Sequence, residues 1–137
     1  MEFGEPKRKN KIIGAWGEQI ATNYLQKHGF IILDRNYLKK WGEIDIVARG
    51  TTGEIHFVEV KTVSYETKQQ LQNAVISRTW RPEENVHAHK LVKLQRAIDS
   101  WLMEKRYDGP WQIDILAVRM VSREKYATVK FINNVII

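Results

Sequence analysis

The chain has 137 residues, a formal charge of +6 and no cysteine, with 43% hydrophobic and 28% charged residues. This composition favours one globular domain and excludes disulfides, thiol nucleophiles and cysteine-ligated zinc. No apolar run reaches the roughly 18 residues of a membrane span, and the N-terminus lacks the apolar segment of a signal peptide, so we expect a cytoplasmic protein. The sequence pI of about 9.6 favours a polyanionic partner such as nucleic acid.

Residues 1–11 form the first segment, a polar and basic arm that we expect to be flexible. From Lys11 onward, apolar residues recur with the 3.6-residue period of a helix, and Gly29 is a stop signal for that helix. The next segment, 30–37, is rich in β-prone residues and predicts a strand. Residues 12–137 are expected to fold as one domain.

Two further strands are predicted at 43–49 and 54–63, joined by the hairpin signal GTTG. Residues 64–85 are harder to assign: a short helix around 68–77 is one interpretation, and the segment is a candidate for facing a substrate. The rest of the chain predicts one long helix and two strands, at 86–106, 111–120 and 127–137. This order predicts an α/β fold in which helices flank a central mixed sheet.

The hairpin sequence GEIDIVARGTTGEIHFVEVK places charged residues in strands that otherwise have a buried composition. If the turn is centred on Thr52, Asp45 lies opposite Glu59, and Glu43 lies opposite Lys61. This register gathers the apolar residues on the other face, namely Ile44, Ile46, Val58 and Val60. A slip of one residue would mix polar and apolar side chains on both faces, so the apolar pattern favours the register that clusters the charges.

Opposed side chains of an antiparallel pair have Cβ atoms roughly 4.5–5.5 Å apart, and two carboxylates at that distance repel each other. A hard cation such as Mg²⁺ removes this repulsion because it binds carboxylate oxygens. Lys61 points into the same predicted cleft, where an ammonium group can hold a phosphate oxygen or an attacking water. The alternative is that Asp45, Glu59 and Lys61 form a structural ion pair on a solvated face.

An acid in one strand, followed by an acid–apolar–lysine triplet in the next, is the pattern of the PD-(D/E)xK nuclease superfamily. GEIDIVA followed by FVEVKT resembles one branch, the YraN-like family of predicted bacterial endonucleases, distantly related to archaeal Holliday-junction resolvases. The similarity extends to GAWGEQIATNYLQKHGF, RNY, HKLVKLQRAIDSWL, QIDILAV and FINNVI, but residues 64–85 match poorly. The resemblance implies a restriction-endonuclease-like fold and a nuclease that uses Mg²⁺ or Mn²⁺.

The resemblance also implies roles for individual residues. Asp45 and Glu59 would bind the metal, helped by the carbonyl of Val60. Lys61 would position the nucleophilic water or stabilise the developing charge. Glu18 resembles the extra acid that resolvase-type relatives carry on the first helix, and an ordinary exposed glutamate is the alternative.

Basic residues and one aromatic residue are predicted to contact nucleic acid. Trp80, near Arg78 and Arg81, is a candidate for stacking on a base, and a loop aromatic folded onto the domain is an equal alternative. Lys90 lies at the family's basic position and could touch a phosphate. The arm adds Lys7, Arg8, Lys9 and Lys11.

The function predicted is metal-dependent hydrolysis of DNA phosphodiester bonds, with branched or structured DNA as the substrate that the resemblance suggests. A non-cleaving nucleic-acid-binding module on a nuclease fold is the second hypothesis, and a protein-interaction adaptor is the third. No membrane association is expected, and a homodimer is left open. Asp114 is interpreted as structural, with a lysine or arginine expected beside it, and His56 as a structural or surface residue.

Overall fold

The computed structural model describes residues 6–77 and 88–135, and within them the elements follow the predicted order. The helices are α1 (Pro6–Lys27), α2 (Lys68–Ser77) and α3 (Ala88–Lys105). The strands are β1 (Ile31–Lys39), β2 (Gly42–Arg49), β3 (Ile55–Ser64), β4 (Trp111–Val121) and β5 (Tyr126–Ile132). A single 3₁₀ turn, Ser122–Glu124, joins the last two strands.

The five strands form one sheet in the order β1-β2-β3-β4-β5. Strands β3 and β4 are parallel, and the other neighbouring strands are antiparallel. A parallel pair needs a long crossover connection, and α2 and α3 lie in the connection between β3 and β4. The predicted mixed α/β sheet with flanking helices is therefore confirmed, and it is consistent with a restriction-endonuclease-like fold.

The sheet carries a hydrophobic cluster on each face. On one face α3 packs against the central strands, with Trp101 in edge-to-face contact with Phe57 at a centroid distance of 5.4 Å. On the other face α1 packs through Ala21 and Leu25 against Ile46 and other strand residues. Because both faces are covered, the central strands are buried over most of their length, and charged side chains in them require a specific explanation.

Helix α1 begins at Pro6, five residues earlier than the apolar period indicates. Proline is well suited to the first position of a helix because its missing N–H has no partner there in any case. The helix ends where the sequence predicts, and Gly29 has a left-handed φ of +86°. Strand β5 ends at Ile132 and is shorter than predicted. Within the described residues no helix is long and apolar enough to cross a membrane.

Candidate active site

The β2–β3 hairpin has the predicted register and opens at one end. Its pairs run from Arg49↔Ile55 to Ile46↔Val58, which is the register expected for a turn centred on Thr52. Beyond the last of these pairs, the carboxylate of Asp45 accepts a hydrogen bond from the Val60 N–H, with Oδ2 at 2.8 Å. In a regular antiparallel pair the Val60 N–H would donate to a backbone carbonyl of β2. Here the Asp45 side chain takes the place of that carbonyl, and the hydrogen bond holds Asp45 where the two strands separate.

Strand β2 changes face at Asp45. Ile44 packs in the α3 cluster with Phe57, whereas Ile46 packs in the α1 cluster with Val58. Residues two apart share a face in a regular strand, so the prediction that Ile44 and Ile46 lie together is wrong. The irregularity is shared with β1, because Asn36, which lies across from Asp45 between two regular pairs, has a left-handed φ of +52°.

Asp45 opens into a cavity of about 620 Å³ between the first half of α1, the start of β2 and the end of β3. Four acidic residues line it, namely Glu18, Glu43, Asp45 and Glu66, and we call it the acidic cavity. Helix α1 reaches the sheet here because Gly17 has no side chain: a Cβ at this position would collide with Thr62. The Gly-Glu pair in the first helix therefore has a physical basis, since the glycine allows the approach that brings Glu18 over the cavity.

The Asp45 carboxyl lies in an environment that disfavours its charge. Burial raises its pKa, the neighbouring Glu59, Glu18 and Glu43 raise it further, and the Val60 N–H only partly opposes them, so that the pKa is about 8. Burial is also the main reason that the pKa of Glu18 is raised. Clustered carboxylates with raised pKa values are expected where a cation or a proton is needed to complete a site.

Glu59 and Lys61 lie next to each other on β3. Glu59 is buried, with 3% of its surface exposed, and its Oε1 lies 3.8 Å from the Lys61 Nζ. The structure thus brings Asp45, Glu59 and Lys61 together at the open end of the hairpin. The described residues that form the wall of the acidic cavity do not include Glu59 or Lys61, so these two approach Asp45 from beside the cavity.

In the described part of the chain no group of three His, Asp or Glu side chains is arranged to hold a metal ion. Mg²⁺ is usually held by one or two carboxylates, while waters and substrate phosphates complete its octahedron. Asp45 and Glu59 supply two such carboxylates, and Glu59 is one of the neighbours that raise the pKa of Asp45. The donor set therefore fits a Mg²⁺ or Mn²⁺ ion that shares its coordination with water and phosphate. A ligand role for the Val60 carbonyl stays a prediction.

The predicted nucleic-acid contacts lie mostly outside the described residues. Arg78, Trp80 and Arg81 fall between 77 and 88, and the side chains of Lys7, Arg8, Lys9 and Lys90 are likewise outside the description. Lys11 is exposed on α1, two residues before the first cavity-lining residue of that helix. On α3, the Lys93 backbone carbonyl lies against Gly42 at the start of β2, so the second turn of that helix approaches this end of the hairpin from the face of the sheet opposite α1. Among the predicted contacts whose side chains are described, Lys11 therefore lies close to the acidic cavity.

The other end of the hairpin holds a second charged group, which we call the histidine network. His56 is hydrogen-bonded through Nδ1 to Asp114 Oδ2 at 2.5 Å and through Nε2 to Glu54 Oε1 at 2.9 Å. Asp114 is fully buried and also accepts from the Gln112 amide and the Asn134 N–H, both at 2.8 Å. The partner predicted for Asp114, a lysine or arginine, is wrong: the partner is His56, contributed by the parallel neighbour β3.

The chain matches the model of an uncharacterised protein family, UPF0102, over residues 17–118. The chain belongs to the UPF0102 family. The matched span begins at Gly17 and includes Glu18, the whole hairpin and Asp114. UPF0102 is the YraN-like family of the PD-(D/E)xK nuclease superfamily, so the resemblance inferred from the sequence is confirmed.

UPF0102 proteins from several bacteria are similar to this one along most of their length. The protein of Campylobacter fetus subsp. fetus is 35% identical over 129 residues, which cover 93% of this chain and 96% of the relative. That of Syntrophotalea carbinolica is 42% identical over 108 residues, 78% of each chain. That of Campylobacter concisus is 33% identical over 113 residues, 81% of this chain and 87% of the relative. The names of these relatives state the family and no activity.

Proposed function

We propose that this UPF0102 protein is a Mg²⁺- or Mn²⁺-dependent endonuclease that hydrolyses DNA phosphodiester bonds. One observation supports this most strongly: Asp45 is buried at the open end of the hairpin with Glu18, Glu43 and Glu59 close enough to raise its pKa. A structural acid would be expected to have a cationic partner or a full set of hydrogen-bond donors. A divalent cation and the phosphate it carries would compensate the clustered charge.

The roles of the residues follow from their positions. Asp45 and Glu59 would hold the ion, which would polarise the phosphate and make a bound water nucleophilic near neutral pH. Lys61, 3.8 Å from Glu59, would hold that water or neutralise charge that develops on the phosphate oxygens. Glu18 faces the same space from α1, on the opposite wall of the acidic cavity. Its carboxylate would accept a proton or orient a water.

DNA is the proposed partner because the chain has a charge of +6 while the cavity itself is acidic. The positive charge that would bind DNA lies outside the cavity, and Lys11 is exposed on α1 two residues before Ile13, which lines the cavity. Such charge would bind the backbone beside the cleaved phosphate. Branched or structured DNA is the substrate that the family resemblance suggests, and a homodimer stays a prediction.

A non-cleaving DNA-binding module is the second candidate, and the Lys61–Glu59 contact favours it. If this ion pair is purely structural, the carboxylates would be remnants of a site and the basic residues outside the cavity would be the functional part. The two candidates differ in what Lys61 does. They therefore make opposite predictions for a variant that removes its charge and keeps its length.

The test uses labelled duplex, single-stranded, flap and four-way DNA, each with Mg²⁺, Mn²⁺ or a chelator. The nuclease predicts metal-dependent cleavage of at least one of these, and Lys61→Met should reduce single-turnover cleavage by roughly 10²-fold with little loss of DNA binding. Lys27→Met is the matched control, because Lys27 is exposed in the last turn of α1. DNA binding without cleavage of any substrate would favour the module.

A further inference from the structure

Asn36 has an unusual backbone conformation inside a strand. It lies within β1, yet its φ of +52° is in the left-handed region. Among non-glycine residues Asn and Asp tolerate this region best, and within a strand it interrupts the regular alternation of side chains. A conformation of this kind persists only when the surrounding structure favours it.

The left-handed residue directs two consecutive side chains to the same helix. Arg35 donates from Nη1 to Gln19 Oε1 at 3.2 Å on α1. With its amide assigned so that nitrogen faces the carboxylate, Asn36 donates to the neighbouring Glu18, at 2.9 Å to Oε2 and 3.2 Å to Oε1. In a regular strand these two side chains would point to opposite faces. The irregularity therefore serves to bring the Asn36 amide under α1.

The contact lies at the acidic cavity. Asn36 is across from Asp45 in the β1–β2 register, between the pairs Arg35↔Ile46 and Tyr37↔Ile44. From β1, the edge strand of the sheet, the Asn36 side chain contacts Glu18, which lines the cavity. A neutral amide is the group that suits this position, because it can donate to both oxygens of a carboxylate without adding a charge that would compete for the other acids.

We propose that Asn36 is a positioning residue that holds the Glu18 carboxylate over the acidic cavity. The Asn36–Glu18 contact does not depend on any activity of the protein. The effect of this contact on DNA cleavage rests on the proposed function. The left-handed backbone aims the amide, and the two hydrogen bonds fix the carboxylate against repulsion from its acidic neighbours. Without the amide, Glu18 would turn toward solvent and away from Asp45.

A reversal of donor and acceptor tests the contact. Asn36→Asp places one carboxylate against another and should lower the melting temperature at pH 7.5 by roughly 3–6 °C. Combining it with Glu18→Gln reverses the pair, because the new glutamine can donate to the new aspartate. The double variant should melt within about 2 °C of the parent, a coupling that only contacting residues show. If the two substitutions are merely additive, the contact and the proposal are refuted.

Asn36→Gly tests positioning without disturbing the backbone, because glycine adopts a φ of +52° freely. Asn134→Gly is the matched control: it makes the same substitution at a φ of +55°, beside the histidine network. Where the parent cleaves DNA, Asn36→Gly should reduce the rate by about 10-fold, as is common for residues that orient a functional group, and Asn134→Gly should leave it unchanged.

An unchanged rate in Asn36→Gly, alongside a slower Glu18→Gln, would overturn the proposal. The melting measurements need no cleavage, so the two proposals can fail separately. A parent that cleaves nothing would count against the nuclease alone, whereas additivity in the reversal experiment would count against the positioning of Glu18 alone.

Discussion

The two ends of the β2–β3 hairpin both hold buried ionisable side chains, and the surroundings act on them in opposite ways. In the histidine network each charged group has partners: His56 lies between Asp114 and Glu54, and Asp114 receives two further hydrogen bonds. In the acidic cavity, Asp45 has one backbone donor and several carboxylate neighbours. The first arrangement is compensated within the fold, whereas under the proposed function the second would be completed by a bound cation.

The pKa directions express this difference. Burial opposes the charged form of His56, but its hydrogen bonds to Asp114 and Glu54 outweigh it and raise the pKa of the imidazole. The same contact, with one from Thr52, lowers the pKa of Glu54 to about 2. At the other end both burial and neighbouring charges raise the pKa of Asp45. Ions are favoured at one end of the hairpin and disfavoured at the other, which is why we propose the cation site at the Asp45 end.

The largest effect on stability is expected from breaking the histidine network. Asp114→Ala would leave His56 and the Asn134 N–H without their buried acceptor, and removing one partner of a buried pair typically costs about 3–5 kcal/mol. Urea unfolding at pH 6 measures this loss. The control is Asp108→Ala, which changes an exposed aspartate and should alter the free energy of unfolding by less than about 0.5 kcal/mol. Equal effects for the two variants would mean that the network is not structural.

A second effect concerns how α1 reaches the acidic cavity. Gly17→Ala adds a methyl group that collides with Thr62, and such overpacking typically costs about 1–3 kcal/mol. Thr62→Ala in the same chain should restore part of the loss, because it removes the two nearest of the colliding atoms. Thermal melting of the single and double variants decides this. If Gly17→Ala melts like the parent, the helix does not approach the sheet as closely as described.

A substitution at the acidic cavity is expected to raise the free energy of unfolding instead of lowering it. Asp45→Asn keeps an acceptor for the Val60 N–H and removes the disfavoured charge, so the metal-free protein should gain about 0.5–2 kcal/mol at pH 8. Because the folded-state pKa is raised, the destabilisation by Asp45 grows as the pH rises from about 4 to about 8. The gain should therefore disappear near pH 4. A loss of stability at pH 8 would show that the Asp45 charge is compensated after all.

The smallest effect is the pH dependence of the histidine network, best measured in the Asp45→Asn background. The pKa of His56 is raised by folding, so its contribution is fully present below the unfolded-state pKa of about 6.5 and is lost as the pH rises through the folded-state pKa. Stability should fall from pH 6 to pH 9, and His56→Gln should flatten that slope. If the stability of His56→Gln falls between pH 6 and pH 9 as steeply as before, a group other than His56 causes the pH dependence.

Local patterns predicted much of this molecule. The apolar periods and the turn signals located the helices and strands, including a helix at Lys68–Ser77, and the apolar alternation with GTTG indicated the hairpin register. That register in turn indicated that Asp45, Glu59 and Lys61 lie together. These features depend on residues that are near in sequence, which is why one sequence was enough to find them.

The missed features depend on distant residues. The change of face at Asp45 arises where the ladder with β3 ends and where Asn36 on β1 becomes left-handed. The pairing of His56 with Asp114 requires β3 and β4 to be parallel neighbours, which strand patterns do not specify. A signal for Asn36 was present in the RNY segment, since asparagine in a β-prone run is a candidate for a left-handed residue.

Calorimetric titration with Mn²⁺ at pH 7.5 tests the central claim most directly, because it asks whether the acidic cavity and the adjacent Glu59 bind a cation. The parent should bind, and Asp45→Asn should abolish that binding while its melting temperature is maintained or raised. Asp108→Asn, an exposed aspartate with the same substitution, should bind as the parent does. Equal Mn²⁺ affinity in the parent and in Asp45→Asn, or no binding by the parent at all, would contradict the account.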